Sequence, residues 1–262
     1  MWLRHWSLAR DPFAPGGRPY IATPGHDEAV ARLVHAIRSG LPSAVVRGEA
    51  GVGKSVVLTK ALAEVRSPGL RVATSVAPAD GASLLQDLAR SLRLRIPDHP
   101  AVPRVWRALA DAARLIREQR GRLILAIDSA ESLDGPDDLR HLDRLLHLDP
   151  DGDPAPTLIR VERLGDRPAP PSDAFPIRLG PLTRGEATSY LAAKLCHAGR
   201  DGPTFTARSV TVIHGLAEGV PGRLDRLARM ALIAAAVGGE SIVTPACLAA
   251  VEDAAPPRLL LA

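Results

Sequence analysis

Gly48-Glu49-Ala50-Gly51-Val52-Gly53-Lys54-Ser55 follows the apolar run Ala44-Val45-Val46 and leads into Val56-Val57-Leu58. A G-x-x-x-x-G-K-S loop is thereby placed between an expected strand and an expected helix, which commits the chain to an α/β unit with a sharp turn at its centre. Glycines at 48, 51 and 53 let the backbone turn tightly and aim its N–H groups inward. The helix that follows points its positive end at the same spot, and Lys54 adds a mobile cation for the β- and γ-phosphates. Ser55 is the expected Mg²⁺ ligand, and the residues from Gly48 to Ser55, with Glu49, Ala50 and Val52 between the glycines, are expected to cradle ATP.

The 262 residues are 46% hydrophobic, enough for one large or two small domains with buried cores. No stretch approaches the roughly 20 apolar residues of a membrane span, and the first thirteen residues are too polar and Arg-interrupted for a signal sequence, so the expectation is a cytoplasmic protein. Cys196 and Cys247 show no metal-ligand spacing and read as reduced thiols in helix cores. The net charge of +4 is compatible with a polyanionic partner such as double-stranded DNA. Almost all of the basic residues are Arg, Lys occurs only at 54, 60 and 194, and Asn is absent, which is also the signature of a GC-rich genome. The charges are scattered and form no dense stripe.

Residues 26–39 place Val30, Leu33, Val34 and Ile37 on one helical face ahead of the first strand. After the loop the pattern alternates: helix 55–65, strand 70–76, helix 82–92, a Pro-broken loop 96–103, helix 105–120, strand 123–127, helix 137–148, strand 157–161, the Pro-rich 166–171 and strand 175–179. Alternation of this kind predicts a parallel sheet flanked by helices. From Thr183-Arg184-Gly185-Glu186, a capping-box signature, the texture becomes all-helical over 184–198, 207–217, 222–237 and 245–253. The expected organisation is a lead segment at 1–40, a nucleotide-binding core at 41–179, a helical lid at 180–255 and a tail at 256–262. Leu259-Leu260-Leu261 in that tail reads as a frayed end or an apolar hook for a neighbouring chain.

A P-loop protein needs a carboxylate at the end of a buried strand to hold Mg²⁺ through its water shell, and Asp128 follows Leu123-Ile124-Leu125-Ala126-Ile127. The alternative for Asp128 is a cap on the next turn. Many P-loop ATPases carry, directly after that Asp, a Glu that orients and deprotonates the attacking water. Ser129 occupies this position and cannot accept a proton at neutral pH, so the general-base contribution of about 10²- to 10⁴-fold is missing. Glu131 is a weaker candidate for the same task. Slow turnover is expected.

Taken together, Trp6-Ser7-Leu8-Ala9-Arg10-Asp11-Pro12-Phe13, Tyr20, His26-Asp27-Glu28-Ala29, the phosphate loop and Ile127-Asp128-Ser129-Ala130-Glu131-Ser132-Leu133 resemble the ExeA/GspA-type AAA+ ATPases. Gly180-Pro181-Leu182-Thr183-Arg184-Gly185-Glu186-Ala187 with Tyr190 is similar to the start of that family's lid, and Gly219-Val220-Pro221-Gly222-Arg223 to its sensor-2 segment. The resemblance implies an AAA+ P-loop core with a small all-helical lid, an ATP site at a subunit edge, and homo-oligomeric rings or filaments. It also implies adenine held near Pro12, Phe13 and His26. Read from the residues alone, Pro12-Phe13 is also a core-anchoring turn and His26 a polar residue at a helix N-terminus.

Three departures from the family weaken hydrolysis. Ser129 replaces the Glu, Gly222 stands where the sensor-2 Arg usually follows the Pro, leaving Arg223 one residue late, and the arm between Val161 and Phe175 is short. Arg163, Arg167 and Arg178 remain as candidates for an arginine acting across a subunit boundary. The chain is expected to lack the membrane span and peptidoglycan-binding region of the family's secretion members. Its core is also similar to the TnsC/TniB-type transposition regulators, which assemble on duplex DNA with ATP. Three functions stay open: an ATP-switched assembly factor with a secretion or transposition protein as partner, an ATP-dependent DNA-binding filament or ring, and a non-catalytic scaffold that binds nucleotide structurally and recruits a protein partner, with the Leu259–Leu261 tail as a candidate hook.

Overall fold

The continuous apolar runs of the sequence become strands buried on both faces, as a parallel sheet between helical layers requires. In the computed structural model, which describes residues 1–14, 20–98, 100–148, 155–165 and 174–254, the strands are β1 (Ser43–Gly48), β2 (Leu70–Val76), β3 (Arg122–Asp128), β4 (Thr157–Arg163) and β5 (Phe175–Arg178). They form one sheet in the order β2-β3-β4-β1-β5, every neighbouring pair parallel. Helices α3 (Lys54–Glu64), α4 (Gly81–Ser91), α5 (Val102–Glu118) and α6 (Pro136–Leu146) fall between the strands, after α1 (Trp2–His5) and α2 (Pro24–Arg38). The chain closes with α7 (Arg184–His197), α8 (Ala207–Ala217), α9 (Pro221–Val237) and α10 (Pro245–Ala254).

The sheet positions the chemistry by register. Gly48 pairs with Arg163, and Ile127, which precedes Asp128, pairs with Arg160. Because all the strands run the same way, the phosphate loop after β1 and the Asp128 carboxylate after β3 leave the same edge of the sheet, two strands apart. On one face, Leu123, Leu125, Ile127 and Leu158 pack against Leu84, Leu88, Leu109 and Leu145 from α4, α5 and α6.

The chain divides into two compact units: Met1–Asp27, Glu49–Gly53 and the residues from Gly180 on in one, Glu28–Gly48 and Lys54–Leu179 in the other. The division distributes the lead segment between both. In the helical unit Trp6, Leu8 and Phe13 join the apolar core made by α7 to α10, and the Trp6 indole donates to the Leu232 carbonyl at 2.8 Å. The Arg200 guanidinium lies 4.9 Å over the same ring.

Two expectations are corrected. The helix expected from residue 105 begins at Val102, because Pro103 falls in its first turn, where the missing N–H has no intrahelical partner to lose. Cys196 is exposed, not a core thiol; Cys247 is buried. The periodicity of α7 turns Lys194 and Leu195 inward and leaves Cys196 outside, and Lys194 is held by Asp225 at 2.6 Å with its ammonium beside the Phe13 and Tyr190 rings. No helix among the described residues is long and apolar enough to cross a membrane. Residues 256–262, with Leu259-Leu260-Leu261, and Arg167 in the Pro-rich segment lie outside the described residues.

Candidate functional site

Gly48 closes β1 and Lys54 opens α3, so the loop occupies the strand-to-helix turn that its sequence predicts. Lys54 is buried, and its ammonium donates to the Gly48 carbonyl at 2.9 Å, bridging the two ends of the loop. No acidic residue lies in the first turn of α3, which leaves the positive end of the helix, with Ser55 in that turn, available to an anion. Gly51 and Gly53 have φ of +82° and +105°, a region that side chains rarely adopt.

Within the helical unit, two elements grip the middle of this loop. The first is His26. Its Nε2 lies 2.9 Å from the Val52 carbonyl, which can only accept, so Nε2 carries the proton, and its Nδ1 lies 2.7 Å from the Thr23 hydroxyl, which donates to it when the ring is neutral. Burial pushes the His26 pKa below 6.5, against the raising influence of the Val52 carbonyl, Asp27 and Glu186. The ring lies so close to Gly53 that a Cβ there would come within 2.5 Å of Nε2. Thr23 also receives the His26 backbone N–H, as an N-cap does. Glu186, which closes the capping box of α7 with Thr183, accepts a further bond from the Gly25 N–H, and these bonds hold its carboxyl below the usual range.

The second element is the start of α9. The Gly222 N–H donates to the Gly51 carbonyl at 3.0 Å, and a Cβ on residue 222 would meet the Gly51 Cα at 3.2 Å. Gly222 is therefore a close-approach glycine, a reason for its presence that the family comparison of single residues does not reveal. Arg223 follows it and pairs with Glu218. Phe13 is 3% exposed in the helical core, and both nitrogens of His26 are engaged by protein atoms.

In the sheet unit, Asp128 ends β3 and its Oδ1 is buried without a hydrogen-bond partner among the described residues. A buried carboxylate oxygen left unmatched is costly, and the water shell of a cation supplies what it lacks. Ser55 and Asp128 thus have the donor chemistry for Mg²⁺, which when bound would neutralise phosphate charge. Among the described residues no group of three or more His, Cys, Asp and Glu is placed to hold a metal ion.

Ser129 adopts the left-handed conformation, φ +58°, and Glu131 lies half-buried in the 3-10 turn Ala130–Ser132. Arg163 and Arg178 are exposed ends of β4 and β5 on the same sheet edge as Gly48. Sequence reasoning passed over a buried ionic cluster beside them: Glu162, 1% exposed, accepts from Arg47 at 2.7 Å and pairs with Arg160 at 3.2 Å. Arg160, Glu162 and Arg163, set around Val161 at the end of β4, were its only signal.

This geometry agrees with what known proteins show. Residues 37–162, the stretch carrying the phosphate loop and Asp128, match the AAA domain family. The fold is the AAA+ P-loop fold. Across 92% of this chain and 69% of the other, it resembles Cdc6p from Pyrobaculum aerophilum with a TM-score of 0.75 at 19% identity. The ORC1 protein of Aeropyrum pernix, solved in complex with DNA, gives 0.72 at 20% identity over 93% of this chain and 68% of that one. The ORC2 protein of Aeropyrum pernix, solved in ADPNP and ADP complexes, gives 0.69 at 15% identity over 94% and 72%. No curated protein matches the chain by sequence.

Proposed function

We propose that this AAA+ chain binds Mg²⁺-ATP and uses it to drive its own assembly into a ring or filament, in the manner of the ExeA-like ATPases, with slow or absent hydrolysis. The observation that carries the reading is the pairing of a formed phosphate loop, Lys54 bridging to Gly48, with a buried, unmatched Asp128 Oδ1 on the same sheet edge. Gly51, Gly53, Lys54 and Ser55 hold the phosphates, and Ser55 and Asp128 orient the ion. Ser129 offers a hydroxyl to a water but no base, so bound ATP persists and the assembly is long-lived. The protein partner of such an assembly would belong to secretion or transposition machinery.

The test is light scattering of the purified protein with ATP, with ADP and without nucleotide, in wild type and Lys54→Ala. ATP-dependent growth in mass that Lys54→Ala abolishes supports the reading; an oligomer that persists in Lys54→Ala removes the switch.

A second reading, an ATP-dependent DNA-binding filament of the TnsC/TniB type, is favoured by the likeness to ORC1 in complex with DNA and by the net charge of +4. Its mark is duplex binding that requires ATP and falls steeply with salt.

A further inference from the structure

Helices α5 and α6 line an open groove of about 400 Å³ that none of the nucleotide-site residues lines. Its apolar part comes from Val102, Pro103, Ala110 and the Trp106 ring, and Arg107, His141 and Arg144 complete it. No acidic side chain lines it among the described residues. Nor does Arg107 or Arg144 form an ion pair among the described residues, whereas Arg140, one turn before Arg144, is paired with Asp137 at 2.6 Å. The Arg144 guanidinium is instead laid over the Trp106 ring, 4.4 Å from its centre, and the His141 ring tilts toward the same indole at 5.6 Å.

Trp106 itself is 4% exposed, and its Nε1–H is buried with no acceptor among the described residues. A buried indole donor without a partner is an unusual state, because Trp N–H groups normally find one. Around one groove, therefore, lie an apolar floor, a tryptophan whose buried donor is unmatched, and two guanidiniums without carboxylates among the described residues. Each of these lacks the same thing, an acceptor-bearing apolar occupant.

We propose that this groove binds an acidic peptide segment of a partner protein. An apolar side chain of the peptide rests on the Trp106, Val102 and Ala110 surface, and flanking carboxylates meet Arg107 and Arg144, one of them drawing Arg144 off the ring and reaching the indole N–H. The charge complementarity selects acidic segments, and the apolar floor separates a peptide from nucleic acid. Phosphate tracking relies on cations along a surface and gains nothing from the apolar floor of a groove. Arg is suited to the role because its planar fork takes a carboxylate bidentately.

The proposal is tested by selecting a displayed library of random peptides, each about twelve residues long, on wild-type protein after depletion on the double variant Arg107→Glu/Arg144→Glu. The enriched peptide is then synthesised, labelled and titrated by fluorescence anisotropy. Enriched sequences should carry two or more Asp or Glu around an apolar residue, with binding weakened about tenfold or more in the double variant and about threefold in Trp106→Phe, which keeps an aromatic ring and loses the donor. The double variant should keep wild-type melting, Trp106→Phe should melt lower because a smaller ring fills a buried site yet still unfold cooperatively, and both should keep wild-type ATP binding, since neither touches the phosphate loop. Peptides without an acidic consensus, or equal affinity for the double variant, overturn the proposal. So does a labelled DNA duplex that displaces the peptide and itself loses binding in the double variant, which would give the groove to nucleic acid.

Discussion

His26 and Val52 lie 26 positions apart, yet the imidazole Nε2–H of one donates to the carbonyl of the other at 2.9 Å, in the middle of the phosphate loop. A loop whose N–H groups must all point at phosphate turns its carbonyls outward, and those carbonyls need donors elsewhere. His26 serves one and Gly222 the next, at Gly51. The loop is thus shaped by residues that need not touch a ligand.

Loss of the His26 donor should weaken ATP binding by leaving the Val52 carbonyl unmatched, at a cost of about 1–3 kcal/mol, which is roughly 5- to 150-fold in affinity. Titration of His26→Ala with a fluorescent ATP analogue checks this, and His26→Gln, which can still donate, should recover part of the loss.

The same ring sets a pH dependence. Burial lowers the His26 pKa below 6.5, so the unfolded chain takes up a proton more readily than the folded one and stability falls as pH drops below 6.5. The contribution is fully present above that value. Between pH 7.5 and 5.5, above the ordinary range of the carboxylates, wild-type protein should lose more melting temperature than His26→Gln. Parallel melting curves for the two would contradict it.

Gly222 offers a sharper contrast. If the missing sensor-2 arginine were merely absent, Gly222→Arg would restore affinity for the γ-phosphate. The close approach to Gly51 predicts the reverse: a Cβ at 222 would sit 3.2 Å from the Gly51 Cα, so the loop backbone, held in shape for phosphate, has to give by a few tenths of an ångström, at a cost of about 1 kcal/mol. Gly222→Arg and Gly222→Ala should both lower melting temperature and weaken ATP binding.

Ser129→Glu should raise ATP turnover by about tenfold or more by supplying a base next to Asp128. Phosphate release under saturating ATP measures it. The left-handed backbone at residue 129 fixes the direction in which the new carboxylate leaves the chain, and an unchanged rate would place a second defect elsewhere in the site.

Most of this fold was legible because its signals are local. The loop between β1 and α3 is spelled out by glycines and Lys54, β3 by five apolar residues before Asp128, and α7 by the Thr183 to Glu186 box. What escaped depends on partners distant in sequence. The deep burial of Trp6 against α9, the turning of Lys194 inward onto Asp225, and the Arg47-Glu162-Arg160 cluster all break the rule that charge lies outside or that a chain's first residues stand apart. His26 stood out only through the family resemblance, though Thr23-Pro24 before it is a readable N-cap and first-turn proline. Gly222 read as a lost arginine because a one-dimensional comparison records which side chain is missing, not the backbone that fills its place.

Equilibrium titration of a fluorescent ATP analogue into wild-type protein and Lys54→Ala, with Mg²⁺ present, tests the central claim most directly. The account predicts saturable one-to-one binding by wild type and a loss of about 10- to 100-fold in the variant, the worth of a charge-assisted contact to phosphate. Absence of binding by wild type, or equal binding by both proteins, would contradict it.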